Sequence, residues 1–201
     1  MKNPKIGFIG GGNMGGAMIE NLAQRLGGER LFVYARSKTA TLREKCGINA
    51  CESEAAVASA ADITVLATKP AAYVDILNLI KDAARGKVIV TLAPSFSLEQ
   101  ASQILGAQAK IARAMPNTPA AIAEGVSALC FNENLSADEL NLERIFLGAR
   151  SIVGIEQNSL NAEQEQRALL LKKSGKLKFK NGRYYAKNFL TADEISLFIA
   201  G

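Results

Sequence analysis

The stretch Gly10-Gly11-Gly12-Asn13-Met14-Gly15-Gly16, "GGGNMGG", decides how this chain is read. It follows the apolar run Ile6-Gly7-Phe8-Ile9 and precedes Ala17-Met18-Ile19. Five glycines in seven residues cost backbone entropy that a fold tolerates where the chain turns sharply or another group approaches it closely. Gly10, Gly12 and Gly15 stand in G-x-G-x-x-G spacing between a strand candidate and a helix candidate. In that setting Gly10 permits the turn, Gly12 lets a pyrophosphate reach the backbone, and Gly15 lets the helix pack on the strand. A tight turn alone is the plainer alternative.

Working outward, short apolar runs alternate with helical stretches. Lys5–Ile9, Leu31–Ala35, Ile63–Ala67, Lys87–Leu92 and the weaker Lys110–Ala114 have strand length and little polar alternation. Met14–Leu26, Lys38–Lys45 (ending at Gly47), Tyr73–Ala84 and Leu98–Leu105 fill the intervals as helices. Strands without a polar face, separated by helices, predict a parallel sheet covered on both sides. The expected class is α/β, a doubly wound, Rossmann-like and mostly parallel sheet over residues 1–162. A ligand crevice is expected at the strand C-terminal ends. Beyond it, Ser136-Ala137-Asp138-Glu139 opens a helix reaching about Gly148, followed by a strand at Ser151–Ile155. Residues 163–201 form a basic tail: a helix over Glu163–Lys173, a hairpin over Lys176–Lys187 turning at Asn181-Gly182, and a short helix capped at Thr191.

Composition narrows the chemistry. Of 201 residues 48% are hydrophobic, enough for a sizeable core, and none is histidine. Ser-His and Cys-His nucleophilic sites and imidazole-bound zinc are thereby excluded. No apolar run has the length of a membrane span and no signal peptide is expected. Cys46, Cys51 and Cys130 form no CxxC pair and read as reduced thiols of a cytoplasmic protein. The net charge of +5 is uneven: residues 1–165 hold 16 basic and 17 acidic residues, residues 166–201 hold 8 and 2.

At the end of the second strand, where an NAD site usually carries Asp or Glu for the ribose 2′-OH, stands Tyr34-Ala35-Arg36-Ser37-Lys38. Arg36 presents a fork of donors, Ser37 a hydroxyl and Lys38 a charge, a set suited to a 2′-phosphate. NADP(H) is favoured over NAD(H), with a merely solvated Arg36 as the alternative. Ala67-Thr68-Lys69-Pro70 and Met115-Pro116-Asn117-Thr118-Pro119 end two further strands facing the same crevice.

"IGFIGGGNMGGAM", "LATKP" and "MPNTP…EGVSAL" are spaced as in pyrroline-5-carboxylate reductases, and the chain resembles that family from about Lys5 to Ala162. The resemblance implies NADPH-dependent reduction of a cyclic imine, 1-pyrroline-5-carboxylate, to proline. It also implies that Ile9, Gly10, Gly11, Gly12, Asn13 and Met14 wrap the pyrophosphate, with Gly15 counted in the same cofactor-binding turn, and that Arg36 and Ser37 take the 2′-phosphate. Ala67, Thr68 and Lys69 line the cofactor, with Ala93 and Asn117 near the nicotinamide. A protonated imine is already an electrophile, so a histidine-free protein has mainly to position the reactants and exclude water. No catalytic side chain is assigned.

The chain departs from the family at Ala93-Pro94-Ser95, at Arg150, and at Glu54, which stands where the family often has an Asn near the cofactor ribose. The family continues with a helical domain that forms the dimer and holds the substrate, and nothing in residues 163–201 resembles its opening run. The expectation is a reductase altered in that half, its homo-oligomer left open. The alternative is a non-catalytic NADP(H)-binding module with a basic tail. That tail interleaves Phe179, Tyr184 and Tyr185 with Lys176, Lys178, Lys180, Arg183 and Lys187, a pattern that could contact nucleic acid. A solvated hairpin is the simpler account, so nucleic acid is not the expected partner.

Overall fold

A computed structural model describes residues 3–93, 95–116, 126–136, 139, 150–156, 162–174, 177–180 and 183–186. β1 (Ile6–Ile9) is flanked in parallel by β2 (Leu31–Tyr34) and β4 (Ile63–Leu66), with β3 (Asn49–Ala50) outside β2 and β5 (Val88–Thr91) and β6 (Lys110–Pro116) beyond β4. The order β3-β2-β1-β4-β5-β6 is doubly wound, and the winding reverses between β1 and β4. β7 (Val126–Phe131) then joins β6 antiparallel, and β8 (Arg150–Glu156) joins β7 in parallel. The mostly parallel sheet anticipated from the apolar runs is the one observed.

All four residues of β1, β4 and β5 are buried, because helices cover both faces. Period-two alternation divides them between two cores. Ile6, Phe8, Val65, Val88 and Val90 meet Ile19 and Leu22 of α1 (Asn13–Leu26) and Leu42 of α2 (Thr39–Cys46). Ile9, Leu66, Ile89 and Ile111 face the opposite core. They pack with Val57 of α3 (Glu54–Ala60), Leu77 and Ile80 of α4 (Tyr73–Ile80) and Ala101 of α5 (Leu98–Leu105).

Four elements differ from the sequence expectation, one of them the two-residue strand β3 (Asn49–Ala50), which no apolar run marks. α3 has no counterpart there; "EAAVASA" lacks an apolar stripe, and its signal is the Ser53 cap, whose Oγ accepts from the Ala56 N–H at 3.1 Å. α4 stops at Ile80, four residues short of Ala84, and Gly86 (φ +74°) turns the chain into β5. β7 has no counterpart either. Its register is secured by Asn132, whose side chain donates to the Ala109 carbonyl (2.7 Å) and accepts from the Ile111 N–H (3.1 Å).

Ser136 and Glu139 pair as their spacing suggests: Glu139 Oε2 accepts from the Ser136 N–H and Oγ–H, while Oε1 takes Lys110 Nζ at 2.7 Å. Burial opposes the Glu139 charge, yet the bonds from Lys110 and Ser136 outweigh it and hold the carboxyl below its usual range. In the tail, α6 (Ala162–Lys173) leads to β9 (Leu177–Lys180) and β10 (Arg183–Ala186), a hairpin with Arg183 opposite Lys180. β10 pairs antiparallel with β8, so the hairpin extends the sheet. The helix starting at Thr191 and the turn residues Asn181 and Gly182 fall outside the described residues. No described helix is long and apolar enough to cross a membrane.

Candidate dinucleotide site

The glycine stretch leaves β1 with Gly10 at φ +107°, a conformation costly for any residue with a Cβ. A Cβ there would also lie 2.6 Å from the Ala67 carbonyl oxygen. The Gly10 N–H donates to the Tyr34 carbonyl at 2.8 Å and the Ala67 N–H to the Ile9 carbonyl at 2.8 Å, so the ends of β1, β2 and β4 are tied together at this turn. Gly15 sits directly beneath, where a Cβ would be 2.7 Å from the Gly10 oxygen and 2.8 Å from the Ala67 Cβ. Gly12 is different. It is exposed, its φ is an ordinary −66°, and among the described residues an added Cβ would meet nothing within 4 Å.

Gly12 also begins α1 without a side-chain cap, and the first turn carries no acidic residue. The first helical bond runs from the Gly16 N–H to the Gly12 carbonyl at 2.7 Å. The N–H groups of the first turn therefore have no partner within the helix, and an uncapped helix start of this kind suits an anion.

The β2–α2 loop is held by Thr39, which the sequence pattern did not single out. Its Oγ accepts from the Ala35 N–H (2.8 Å) and donates to the Ala35 carbonyl (2.7 Å), closing the loop so that Arg36, Ser37 and Lys38 project into solvent. Arg36 makes no ion pair among the described residues. At the end of β4, Thr68 Oγ1 is buried with no hydrogen-bond partner among the described residues. Tyr73 braces this end of the sheet: fully buried, its hydroxyl donates to the Leu66 carbonyl (2.7 Å) and accepts from the Leu92 N–H (3.1 Å). Burial raises the Tyr73 pKa, which keeps that donor protonated.

Two adjoining cavities result. One, about 600 Å³, is lined by Gly10–Met14, Ala35–Lys38 and Ala67–Pro70. The other, about 430 Å³, shares Gly10, Ala35, Arg36, Thr68 and Lys69 and is completed by Ile9, Tyr34, Glu54, Ala71, Ala72, Asp75 and Ile76. Segments far apart in the chain thus meet at the point where the winding reverses. Gly15 supports the floor. Ala93 is 3% exposed and lines neither cavity. Asn117 lies outside the described residues. Tyr34, Ala71, Ala72, Asp75 and Ile76 had no distinguishing signal, since each reaches the site only through the sheet order. Burial also raises the thiols of Cys46 and Cys51, which leaves them protonated and poor nucleophiles.

The family model described as "NADP oxidoreductase coenzyme F420-dependent" matches residues 5–95. The pyrroline-5-carboxylate reductase of Escherichia coli K12 is 40% identical over 152 residues, covering 71% of this chain and 56% of that protein. The Aquifex aeolicus enzyme of the same name is 31% identical over 160 residues, covering 79% and 60%. Among solved structures, a pyrroline-5-carboxylate reductase from Coxiella burnetii superposes with TM-score 0.71 at 29% identity, covering 84% of this chain and 63% of that one. The Plasmodium falciparum pyrroline carboxylate reductase with NADP bound gives 0.69 at 28%, covering 87% and 64%. The chain thus spans little more than half the length of the curated relatives it matches. Over the part it shares with them, the chain belongs to the pyrroline-5-carboxylate reductase family.

Proposed function

We propose that this chain binds NADPH along the crevice formed by β1, β2 and β4 and is the hydride-donor half of a reductase acting on 1-pyrroline-5-carboxylate to form L-proline. The observation that carries the reading is the convergence of the glycine turn, Arg36-Ser37-Lys38 and Ala67-Thr68-Lys69 on connected cavities, with open space left where a Gly12 Cβ would stand. In this reading residues 1–162 are the NADP(H)-binding domain and 163–201 an appended segment.

The residues present fit the coenzyme. The backbone N–H groups at Asn13 and Met14 would hold the pyrophosphate, and Thr68 Oγ1, unpartnered otherwise, would gain a partner there. Arg36 and Ser37 would hold the 2′-phosphate, the guanidinium offering paired donors and the loop bond from Thr39 keeping both in place. Tyr34, Ala71, Ala72 and Ile76 provide an apolar slot for the adenine. Ile9 and Gly15 shape the turn, and Ala93 and Asn117 are assigned to the nicotinamide end from the family pattern. When bound, NADPH supplies the hydride; the acceptor, a small-molecule imine, is activated by its own protonation, consistent with a chain that has no histidine. What remains for the protein is to hold the reactants in line and exclude water. A cytoplasmic location, expected from the cysteine usage, belongs to the same reading.

Fluorescence titration with NADPH tests the first half; saturable binding is expected, and its absence would overturn the proposal. Proline formation from the imine and NADPH tests the second. Binding without turnover would leave a coenzyme-binding module and remove the reductase activity from the proposal.

A further inference from the structure

The cavity beneath Arg36 is not electrostatically designed for a phosphate alone. Its charged lining consists of Arg36 and Lys69 on one side of the balance and Glu54 and Asp75 on the other, so its formal charge is zero. Glu54 is held there by the fold. Ser53 caps α3 through its Oγ, which fixes Glu54 as the first helical residue, half-buried and without an ion pair among the described residues. A carboxylate at that position is favoured by the helix dipole, yet it faces the same space as the guanidinium expected to bind a 2′-phosphate.

We propose that Glu54 is a specificity-determining residue that limits the preference of this site for a phosphorylated over an unphosphorylated dinucleotide. The proposal rests on the coenzyme reading above. A carboxylate only accepts hydrogen bonds. Toward an adenosine ribose bearing free hydroxyls it is an acceptor, the same chemistry by which NAD sites use an acidic residue. Toward a 2′-phosphate of nearly two negative charges it is repulsive, and it competes for the Arg36 fork. The cation set of Arg36, Lys38 and Lys69 and the carboxylate therefore pull the discrimination in opposite directions. The site accepts both coenzymes with a modest bias to NADPH.

The test is paired titration with NADPH and NADH of the whole chain and of Glu54→Gln, Glu54→Asp and Arg36→Gln, with thermal melts to verify folding. Removing one partly screened charge beside a phosphate is expected to raise the NADPH-to-NADH affinity ratio about 3- to 10-fold in Glu54→Gln. Glu54→Asp keeps the charge and stays within about twofold of the parent ratio. Arg36→Gln lowers the ratio about tenfold or more. The gain in Glu54→Gln shrinks as salt rises from 0.05 to 0.5 M, by roughly the screening of one exposed pair. A ratio that moves less than twofold in Glu54→Gln, or equal shifts for both coenzymes, would mean that Glu54 only stabilises α3 and would overturn the inference. Failure of the parent chain to bind either coenzyme would instead overturn the coenzyme reading itself.

Discussion

Replacing Gly12 and Gly15 separately by alanine divides fold from function within one turn of helix. At Gly15 the new methyl would lie 2.7 Å from the Gly10 oxygen and 2.8 Å from the Ala67 Cβ. Neither neighbour can yield: the first is backbone in a positive-φ turn bonded to Tyr34, the second follows a β4 residue paired to β1. Relief requires α1 to lift off the sheet, an overpacking cost of about 1–3 kcal/mol. Better helix propensity returns roughly 0.5–1 kcal/mol, so Gly15→Ala should lose about 0.5–2 kcal/mol.

At Gly12 the methyl meets nothing within 4 Å among the described residues and φ is −66°. The poorer N-cap and the stiffer unfolded chain nearly cancel, leaving stability within about 0.5 kcal/mol. The methyl would nevertheless occupy the approach to the open N–H groups. Weakening one or two charge-assisted hydrogen bonds, about 1.5–3 kcal/mol each, should lower NADPH affinity at least about 10-fold. Urea unfolding followed by circular dichroism reads the first quantity and coenzyme fluorescence the second. Gly12→Ala binding NADPH within twofold of the parent, or Gly15→Ala matching the parent midpoint, would refute the assignment of ligand contact to one glycine and packing to the other.

Tyr73→Phe removes the buried hydroxyl that joins Leu66 to Leu92 and leaves the half-buried Leu92 N–H without its acceptor, a loss of about 1–3 kcal/mol in urea unfolding. Thr39→Val keeps the shape of the side chain but releases the Ala35 loop; NADPH binding should weaken several-fold while NADH binding changes less, measured by the same titrations. Glu139→Gln tests the pH dependence. The folded carboxyl is held below the ordinary 4.5 by its bonds to Lys110 and Ser136, against its burial. Its contribution is thus fully present above pH 4.5 and is lost as pH falls from there through the lower folded value. Chemical denaturation should therefore show Glu139→Gln destabilised by about 1–3 kcal/mol at pH 7, with the gap to the parent closing below pH 4.5; a gap independent of pH would exclude the mechanism.

The glycine spacing, the apolar runs of β1, β4 and β5 and the polar cluster after Tyr34 are local facts, and each was legible because its physical cause is local. An apolar strand with no alternation must be buried on both faces, and Gly10 must turn where no Cβ fits. The position of Arg36 and Ser37 was legible for the same reason, since a polar run directly after an apolar strand marks an exposed loop, and both line the crevice. By contrast, α3 and β7 carried little local signal. An alanine-rich helix such as α3 owes its stability to packing on β1 and β4 more than to an amphipathic stripe, and β7 owes its antiparallel register to Asn132 clamping β6.

The amino-acid order by itself determined the doubly wound class, the glycine turn and the identity of the polar groups placed at the end of β2, because turns, caps and strand burial depend on residues within a few positions of one another. Only the tertiary structure decided that Thr39 and Tyr73 hold the site together, that Gly12 stands open while Gly15 is packed tight, and that Glu54 and Asp75 share a cavity with Arg36. Those relations join residues from separate βα units, and their distances exist only after the strands have taken the order that brings β1 between β2 and β4.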